Sequence, residues 1–148
     1  MPKEKSLPIV YGTLVFLLSA CATAANGASK DDTPRGVALY ENDPRLGEAV
    51  SRMCFVSSID SFSDNEEDTV VLEVSPTQSY LVEVSRGCST LDSAQSIAVD
   101  AASNCATKGD HLIVSDSAFG LQGSSGFGPE KCFIKGIYEW DEDAVQEE

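Results

Sequence analysis

The chain has 148 residues, of which 24 are acidic and 10 basic, and its formal net charge at pH 7 is −14. A chain of this length forms one domain with a modest core. Phosphate groups repel so acidic a surface, so the charge argues against a nucleic-acid-binding protein and against docking onto anionic lipid headgroups, whereas it is compatible with a basic partner.

The first predicted element is a secretory signal peptide over residues 1–20. A basic start precedes an apolar run over residues 7–20, which Pro8 and Gly12 interrupt. This run is shorter than the roughly 20 apolar residues of a membrane-spanning helix. The pattern therefore indicates export, and an uncleaved signal anchor is the alternative.

The run ends in Leu18-Ser19-Ala20-Cys21, which resembles the lipobox of bacterial lipoproteins. The resemblance implies that the Cys21 thiol receives a diacylglycerol and that cleavage occurs just before it. Two or more acyl chains anchor a protein stably to a membrane. Ala22 is not the Asp that commonly retains such lipoproteins in the inner membrane, so the resemblance implies an outer-membrane anchor facing the periplasm. Ordinary cleavage after the small residues 22–24 is the alternative.

Five cysteines are present, and lipidation of Cys21 leaves an even number. An oxidising compartment favours two disulfides in a small domain. Several pairings are compatible with the sequence, and we predict Cys54–Cys132 and Cys88–Cys105, because the first would join the opening and closing strands. The sequence contains no CxxC or CxxH spacing, so it predicts neither a metal site nor a redox site, and no cofactor.

Residues 21–50 are predicted to carry the lipid and form a flexible tether, since small and polar residues dominate them. A short helix could form over residues 45–53. Residues 51–140 then contain β-prone runs separated by turns, and residues 141–148 form an acidic tail that we expect to be disordered. The predicted strands are 54–62, 69–74, 80–84, 96–101, 111–114 and 131–140, with a helical turn at 90–94. About six strands at this spacing predict a mostly β domain, a small antiparallel barrel or sandwich.

The order of the cysteines and their flanking apolar residues over residues 52–138 is similar to a family of small proteobacterial lipoproteins of unknown function. The likeness rests on Cys54-Phe55, the run 80–84 before Cys88, Cys105, and Cys132-x-Ile134. It implies a lipoprotein with two disulfides and no assigned activity. The long Gly/Ser loop before Cys132 departs from this pattern.

The sequence predicts no enzyme. His111, the only histidine, lies beside Asp110, but no GxSxG motif presents a nucleophile. We therefore expect a non-enzymatic structural or protein-interaction domain in the cell envelope, with another envelope protein as partner. The alternative is a ligand- or cation-binding module that uses the acidic loop 60–68 or the glycine-rich loop 120–129.

Overall fold

The computed structural model describes residues 33–63, 66–118 and 128–144. The predicted signal peptide, Cys21, most of the glycine-rich loop and the end of the acidic tail lie outside these ranges. No helix of the described part is long and apolar enough to cross a membrane.

The described residues form nine strands and three short 3₁₀ helices, without an α-helix. The 3₁₀ helices are Gly36–Tyr40, Val56–Ser58 and Leu91–Ser93. The strands are β1 (Leu46–Ala49), β2 (Arg52–Cys54), β3 (Ser61–Ser63), β4 (Thr69–Ser75), β5 (Gln78–Val84), β6 (Ser96–Asp100), β7 (Cys105–Thr107), β8 (His111–Ser115) and β9 (Glu130–Trp140).

Six strands form a nearly closed antiparallel barrel in the order β3-β4-β5-β9-β8-β6. Strand β1 also pairs with β9, and β2 and β7 form a separate two-stranded ribbon. The hairpin of β4 and β5 turns at Pro76-Thr77, as the turn-forming residues predict. The prediction of a small, disulfide-bonded antiparallel β fold is therefore confirmed.

The barrel interior is filled by alternate side chains of the strands, together with two residues of the ribbon. From β4, Val70, Leu72 and Val74 point inward, since side chains of a strand alternate between its faces. Met53 and Ala106 of the ribbon are fully buried in the same cluster. The other buried members are Tyr80, Val82, Val84, Cys88, Leu91, Leu112, Val114, Cys132, Ile134 and Ile137.

Strand β9 contains a register irregularity that changes which of its side chains point inward. Glu83 of β5 lies opposite Gly136 and the next residue, Val84, lies opposite Ile134, so Lys135 is an extra residue. An extra residue reverses the alternation beyond it. Simple alternation predicts Ile137 on the face opposite Ile134. That prediction is wrong, because the irregularity returns Ile137 to the interior.

A second, smaller cluster lies on the outer face of β4, β5 and β9. Tyr40 of the first 3₁₀ helix packs there with Val71, Leu81 and Trp140. Residues 36–49, which form this helix and β1, are called the N-terminal cover below. They lie inside the predicted tether 21–50, so the folded domain begins before residue 51 and that part of the tether prediction is wrong, because apolar side chains of the cover are buried against the sheet.

Two other local predictions are wrong. Residues 45–53 contain β1 and β2 rather than a helix, since both segments pair with neighbouring strands. The predicted strand 54–62 is interrupted by the 3₁₀ helix Val56–Ser58, which follows Phe55 at φ 65°. The strands predicted over 69–74, 80–84, 96–101, 111–114 and 131–140 are confirmed, as is the turn near residue 91.

Candidate functional site

All four cysteines of the described domain form disulfides, but the predicted pairing is wrong. The bonds are Cys54–Cys105 and Cys88–Cys132. Cys54 lies directly opposite Cys105 in the ribbon of β2 and β7. The sequence did not predict β7, a strand of three residues, so the partner of Cys54 could not be identified from strand order.

The second disulfide lies beside a carboxylate but does not form a metal site. Ligand atoms of Cys88, Glu130 and Cys132 lie within 4.8 Å of one another, yet the two sulfurs are bonded to each other. Glu130 accepts hydrogen bonds from the backbone N–H of Thr90 at 2.8 Å and the hydroxyl of Ser89 at 3.5 Å. Burial alone would raise the pKa of Glu130, but these hydrogen bonds outweigh it and lower the pKa. Glu130 thus fastens the loop that follows Cys88.

His111 occupies a packing position. Its ring meets Phe133 edge to face, with 5.1 Å between the ring centroids. The neighbouring carboxylate of Asp110 instead accepts hydrogen bonds from the backbone N–H and the hydroxyl of Thr107. Within the described ranges, no hydrogen bond joins His111 to a serine, threonine or cysteine that could act as nucleophile. The geometry does not form a catalytic triad there.

The acidic loop 60–68 contributes two carboxylates to an ion-pair cluster. Arg35 Nε lies 2.7 Å from the Glu67 carboxylate and 3.8 Å from that of Asp68. The backbone of both acidic residues has positive φ, 45° and 74°. Asp64 lies outside the described residues, as do residues 120–127 of the glycine-rich loop 120–129. Arg35 already neutralises part of the negative charge of Glu67 and Asp68. A cation site in the acidic loop therefore stays a prediction that no described contact supports.

The ribbon presents an exposed aromatic side chain at its end. Phe55 is 59% exposed, and its φ of 65° places a bulky residue in the left-handed region. The disulfide at Cys54 and three hydrogen bonds to Asn104 hold this turn. Val56 N–H donates to the backbone carbonyl of Asn104 at 3.3 Å, and the backbone N–H and the hydroxyl of Ser57 donate to its side-chain oxygen at 3.3 Å and 2.8 Å. An exposed aromatic side chain held in a costly conformation is typical of a contact residue.

A groove of about 400 Å³ opens along one edge of β9. Strand β5 pairs with the other edge of β9, whereas β1 and β8 share this one. β1 pairs with the end of β9 near Tyr138, and β8 pairs with its beginning as far as Phe133. The groove, called the β9 groove below, lies between them. Its lining residues are Ala49, Val50, Ser51, Lys108, Lys135, Gly136, Ile137 and Tyr138.

The β9 groove carries two ammonium groups. Lys135 Nζ lies 2.7 Å from a carboxylate oxygen of Glu83, whose side chain is only 6% exposed. Lys108 makes no ion pair with any described residue. Burial, with a smaller effect of the Glu83 charge, raises the pKa of the Tyr138 hydroxyl. The groove therefore offers hydrogen-bond donors and positive charge on a protein that is acidic as a whole.

A second depression, of about 550 Å³, lies beside Trp140. The guanidinium of Arg45 covers the Trp140 ring at 4.6 Å from its centroid, a cation–π contact. Asp43 holds the same guanidinium through a bidentate ion pair. Because the ring is already covered and buried, it offers no open aromatic face to a ligand.

Sequence reasoning did not identify Phe55, Lys108 or Lys135 as site residues. None of them belongs to a motif, and the proximity of Lys108 and Lys135 depends on the ribbon and on the irregularity in β9. The sequence offers one signal for the two lysines: basic residues are scarce in this acidic chain, so each lysine marks a local exception to the overall negative charge.

A family model described as a family of unknown function, DUF6491, matches residues 4–148. Neither the curated proteins nor the solved structures returned a match. The matched residues include both the leader-like segment with Cys21 and the whole described domain.

Proposed function

The chain belongs to DUF6491, a family of unknown function, and we propose that it is a lipid-anchored cell-envelope protein whose β domain is a non-enzymatic protein-interaction module. The observation that carries the proposal is the oxidation of all four cysteines of the domain. Disulfides persist in oxidising compartments such as the bacterial periplasm and are rare in the cytosol. Two of them in so small a domain support an exported protein.

The same bonds support the anchor at Cys21. Of the five cysteines, four are consumed within the domain, so no cysteine of the same chain is left to pair with Cys21. A single leftover cysteine in an oxidising compartment would be a reactive thiol. Lipidation uses that thiol, and Cys21 stands at the end of the only segment that resembles a lipobox.

The interaction role is supported by the turn at Phe55. Most large apolar side chains of the described domain are buried, whereas this ring is exposed on a turn whose backbone is held by a disulfide and by hydrogen bonds. Rigid aromatic side chains contribute much of the binding energy at protein interfaces, because little conformational entropy is lost when they are covered.

The anchor is tested by the intact mass of the full-length gene product purified from membranes of expressing bacteria. We expect a chain that starts at Cys21, carries acyl groups, and takes up a thiol alkylating reagent at four positions only after reduction. In the Cys21→Ser variant the acyl mass should disappear while the two disulfides remain. A mature chain that starts beyond Cys21, or free thiols in the domain, would contradict the proposal.

The interaction role is tested by cross-linking in intact envelopes with a photoreactive residue at the exposed Ser58, which lies on the same turn as Phe55. We expect one dominant cross-linked product that is lost in Phe55→Ser. The matched control is Leu39→Ser, since Leu39 is also exposed but lies on the N-terminal cover. Equal loss in both variants, or no loss in either, would show that the Phe55 turn is not a contact site.

A further inference from the structure

The β9 groove is a break in an otherwise paired strand edge. On either side of the break a neighbouring segment bonds to β9: Val50 N–H donates to the Ile137 carbonyl at 2.9 Å and Gly109 N–H to the Ile134 carbonyl at 3.0 Å. Between these two bonds, Lys135 and Gly136 have no strand partner on this edge within the described chain. The gap between β1 and β8 at these two residues leaves the groove open to a ligand, whereas Gly136 itself pairs with Glu83 of β5 across the other edge of β9.

The floor of the groove depends on Gly136. A Cβ at this position would lie 2.9 Å from both the ring and the hydroxyl oxygen of Tyr138, closer than real side-chain contacts allow. Glycine therefore lets the Tyr138 ring lie over β9 next to the groove. Ala49 and Val50 line the same space. The groove is thus suited to a short apolar group beside hydrogen-bond donors.

The charge of the groove opposes the charge of the chain. The formal net charge is −14, yet the described lining includes two lysines and no carboxylate. Two carboxylates of neighbouring segments are engaged elsewhere: Glu83 is buried and bound to Lys135, and Asp110 binds the backbone and hydroxyl of Thr107. Lys108 is left to neutralise an anion supplied by a ligand.

We propose that the β9 groove binds a carboxylate carried on a short apolar chain, as at the C-terminus of a peptide that ends in an apolar residue. The Lys108 ammonium and the Tyr138 hydroxyl bind the carboxylate. The apolar side chain lies against Val50 and the ring of Tyr138. This inference rests on the proposed interaction role. It adds to the Phe55 turn a second binding surface, the β9 groove, and names the chemical group that this surface recognises. Free fatty acids share that chemistry.

The probes are N-acetyl-Gly-Ala-Ala-Val with a free carboxylate, the same peptide as its C-terminal amide, and octanoate. Each is titrated into the full chain carrying Cys21→Ser, so that no lipid competes, and amide chemical shifts are followed by NMR. We expect the free peptide to shift the amides of Val50, Lys108 and Gly136. The amidated peptide should bind roughly tenfold more weakly or worse, because a charge-assisted hydrogen bond is lost.

Lys108→Gln is the test variant, and Lys131→Gln is its matched control. Lys131 lies on the same strand as the groove, but its ammonium pairs with Asp100 at an exposed site. We expect roughly tenfold weaker binding of the free peptide to Lys108→Gln and unchanged binding to Lys131→Gln. Gly136→Ala supplies a second test, since a side chain there displaces the Tyr138 ring and should weaken binding while Lys108 is intact.

Tighter binding of the peptide than of octanoate would identify peptide termini as the source of the carboxylate, and the reverse order would identify fatty acids; both support the carboxylate site. Equal binding of the acid and the amide, shifts away from the groove, or no binding of either carboxylate would overturn it. Such a failure would leave the acyl mass at Cys21 and the Phe55 cross-link unaffected, so the two proposals fail separately.

Discussion

The two faces of the sheet formed by β4, β5 and β9 are buried in different ways. The inner face packs against other strands of the same barrel, with Leu72 and Val82 among its fully buried residues. The outer face packs against the N-terminal cover, where Leu81 and Val71 are equally buried under Tyr40. A strand with both faces covered has a nearly continuous apolar sequence instead of an alternating one.

This difference between the two faces shows which feature of the sequence could have predicted that residues 36–49 are folded and not part of a flexible tether. The run Val70-Val71-Leu72 buries consecutive residues, so some other segment must cover the outer face. No other strand of the barrel does so; in the described part of the chain the N-terminal cover, with Val37, Tyr40 and Leu46, packs there. The continuous apolar run was therefore a signal, present in the sequence, that residues 36–49 belong to the folded domain.

The comparison is tested most strongly by two substitutions of the same residue type. Leu72→Ala empties space in the inner core, and Leu81→Ala does so under the cover; both side chains are fully buried. Removing a buried leucine side chain costs about 2–5 kcal/mol of unfolding free energy, less where the surroundings can collapse. We expect Leu72→Ala near the upper end and Leu81→Ala near the lower end, because the cover can move inward more easily than a barrel strand.

Denaturant unfolding followed by far-UV circular dichroism measures both losses, with Leu39→Ala as an exposed control that should change stability by less than about 0.5 kcal/mol. A larger loss for Leu81→Ala than for Leu72→Ala would show that the outer cluster, and not the barrel interior, is the better packed part.

The sequence predicted the long strands because their alternation and β-branched residues are local properties. It did not predict β7 or the interruption at Phe55, since strands of three residues owe their existence to tertiary pairing. The disulfide pairing could not be predicted for the same reason. Cys54 and Cys105 are 51 residues apart and are brought together by the ribbon of β2 and β7.

The candidate sites were less predictable than the fold. The prediction of two disulfides needed only a count of cysteines and a compartment. The β9 groove, in contrast, requires two strands to part along one edge and an extra residue at Lys135. The positions of Lys108 and Phe55 relative to these features depend on long-range contacts, which no local pattern contains.

The attachment of the cover is tested at Gly36. Its φ is +62°, and a Cβ there would collide with the buried carboxylate of Glu83. Gly87 also has a positive φ, +102°, but open space surrounds its missing side chain. We expect Gly87→Ala to cost about 1–2 kcal/mol from the backbone alone. Gly36→Ala should cost about 1 kcal/mol more, because Glu83 must move away from Lys135.

Amide hydrogen exchange locates these losses. In Gly36→Ala we expect faster exchange in β1, with β8 unchanged, since the cover opens before the barrel. Equal costs for the two alanine variants would mean that the Glu83 carboxylate moves aside freely and does not hold the cover.

The smallest expected effect concerns pH at the edge of the cover. Hydrogen bonds from Arg45 hold the pKa of Asp43 below its ordinary value of 3.8, although burial opposes them. Because the folded-state pKa is the lower one, the stabilisation is complete above the unfolded-state pKa and is lost as the pH falls through the folded-state pKa. Asp43→Asn should remove this pH dependence and cost about 0.5–1 kcal/mol at neutral pH.

Trp140 is the only tryptophan and lies under the Arg45 guanidinium, so its fluorescence reports the outer cluster alone. We expect the wild-type fluorescence to change below about pH 4 while the far-UV circular dichroism of the barrel persists. In Asp43→Asn the fluorescence change over that range should be absent, because no carboxylate at position 43 titrates. If fluorescence and circular dichroism change together in both proteins, the outer cluster and the barrel core unfold in one step at low pH. The two faces of the sheet would then not differ in their resistance to acid.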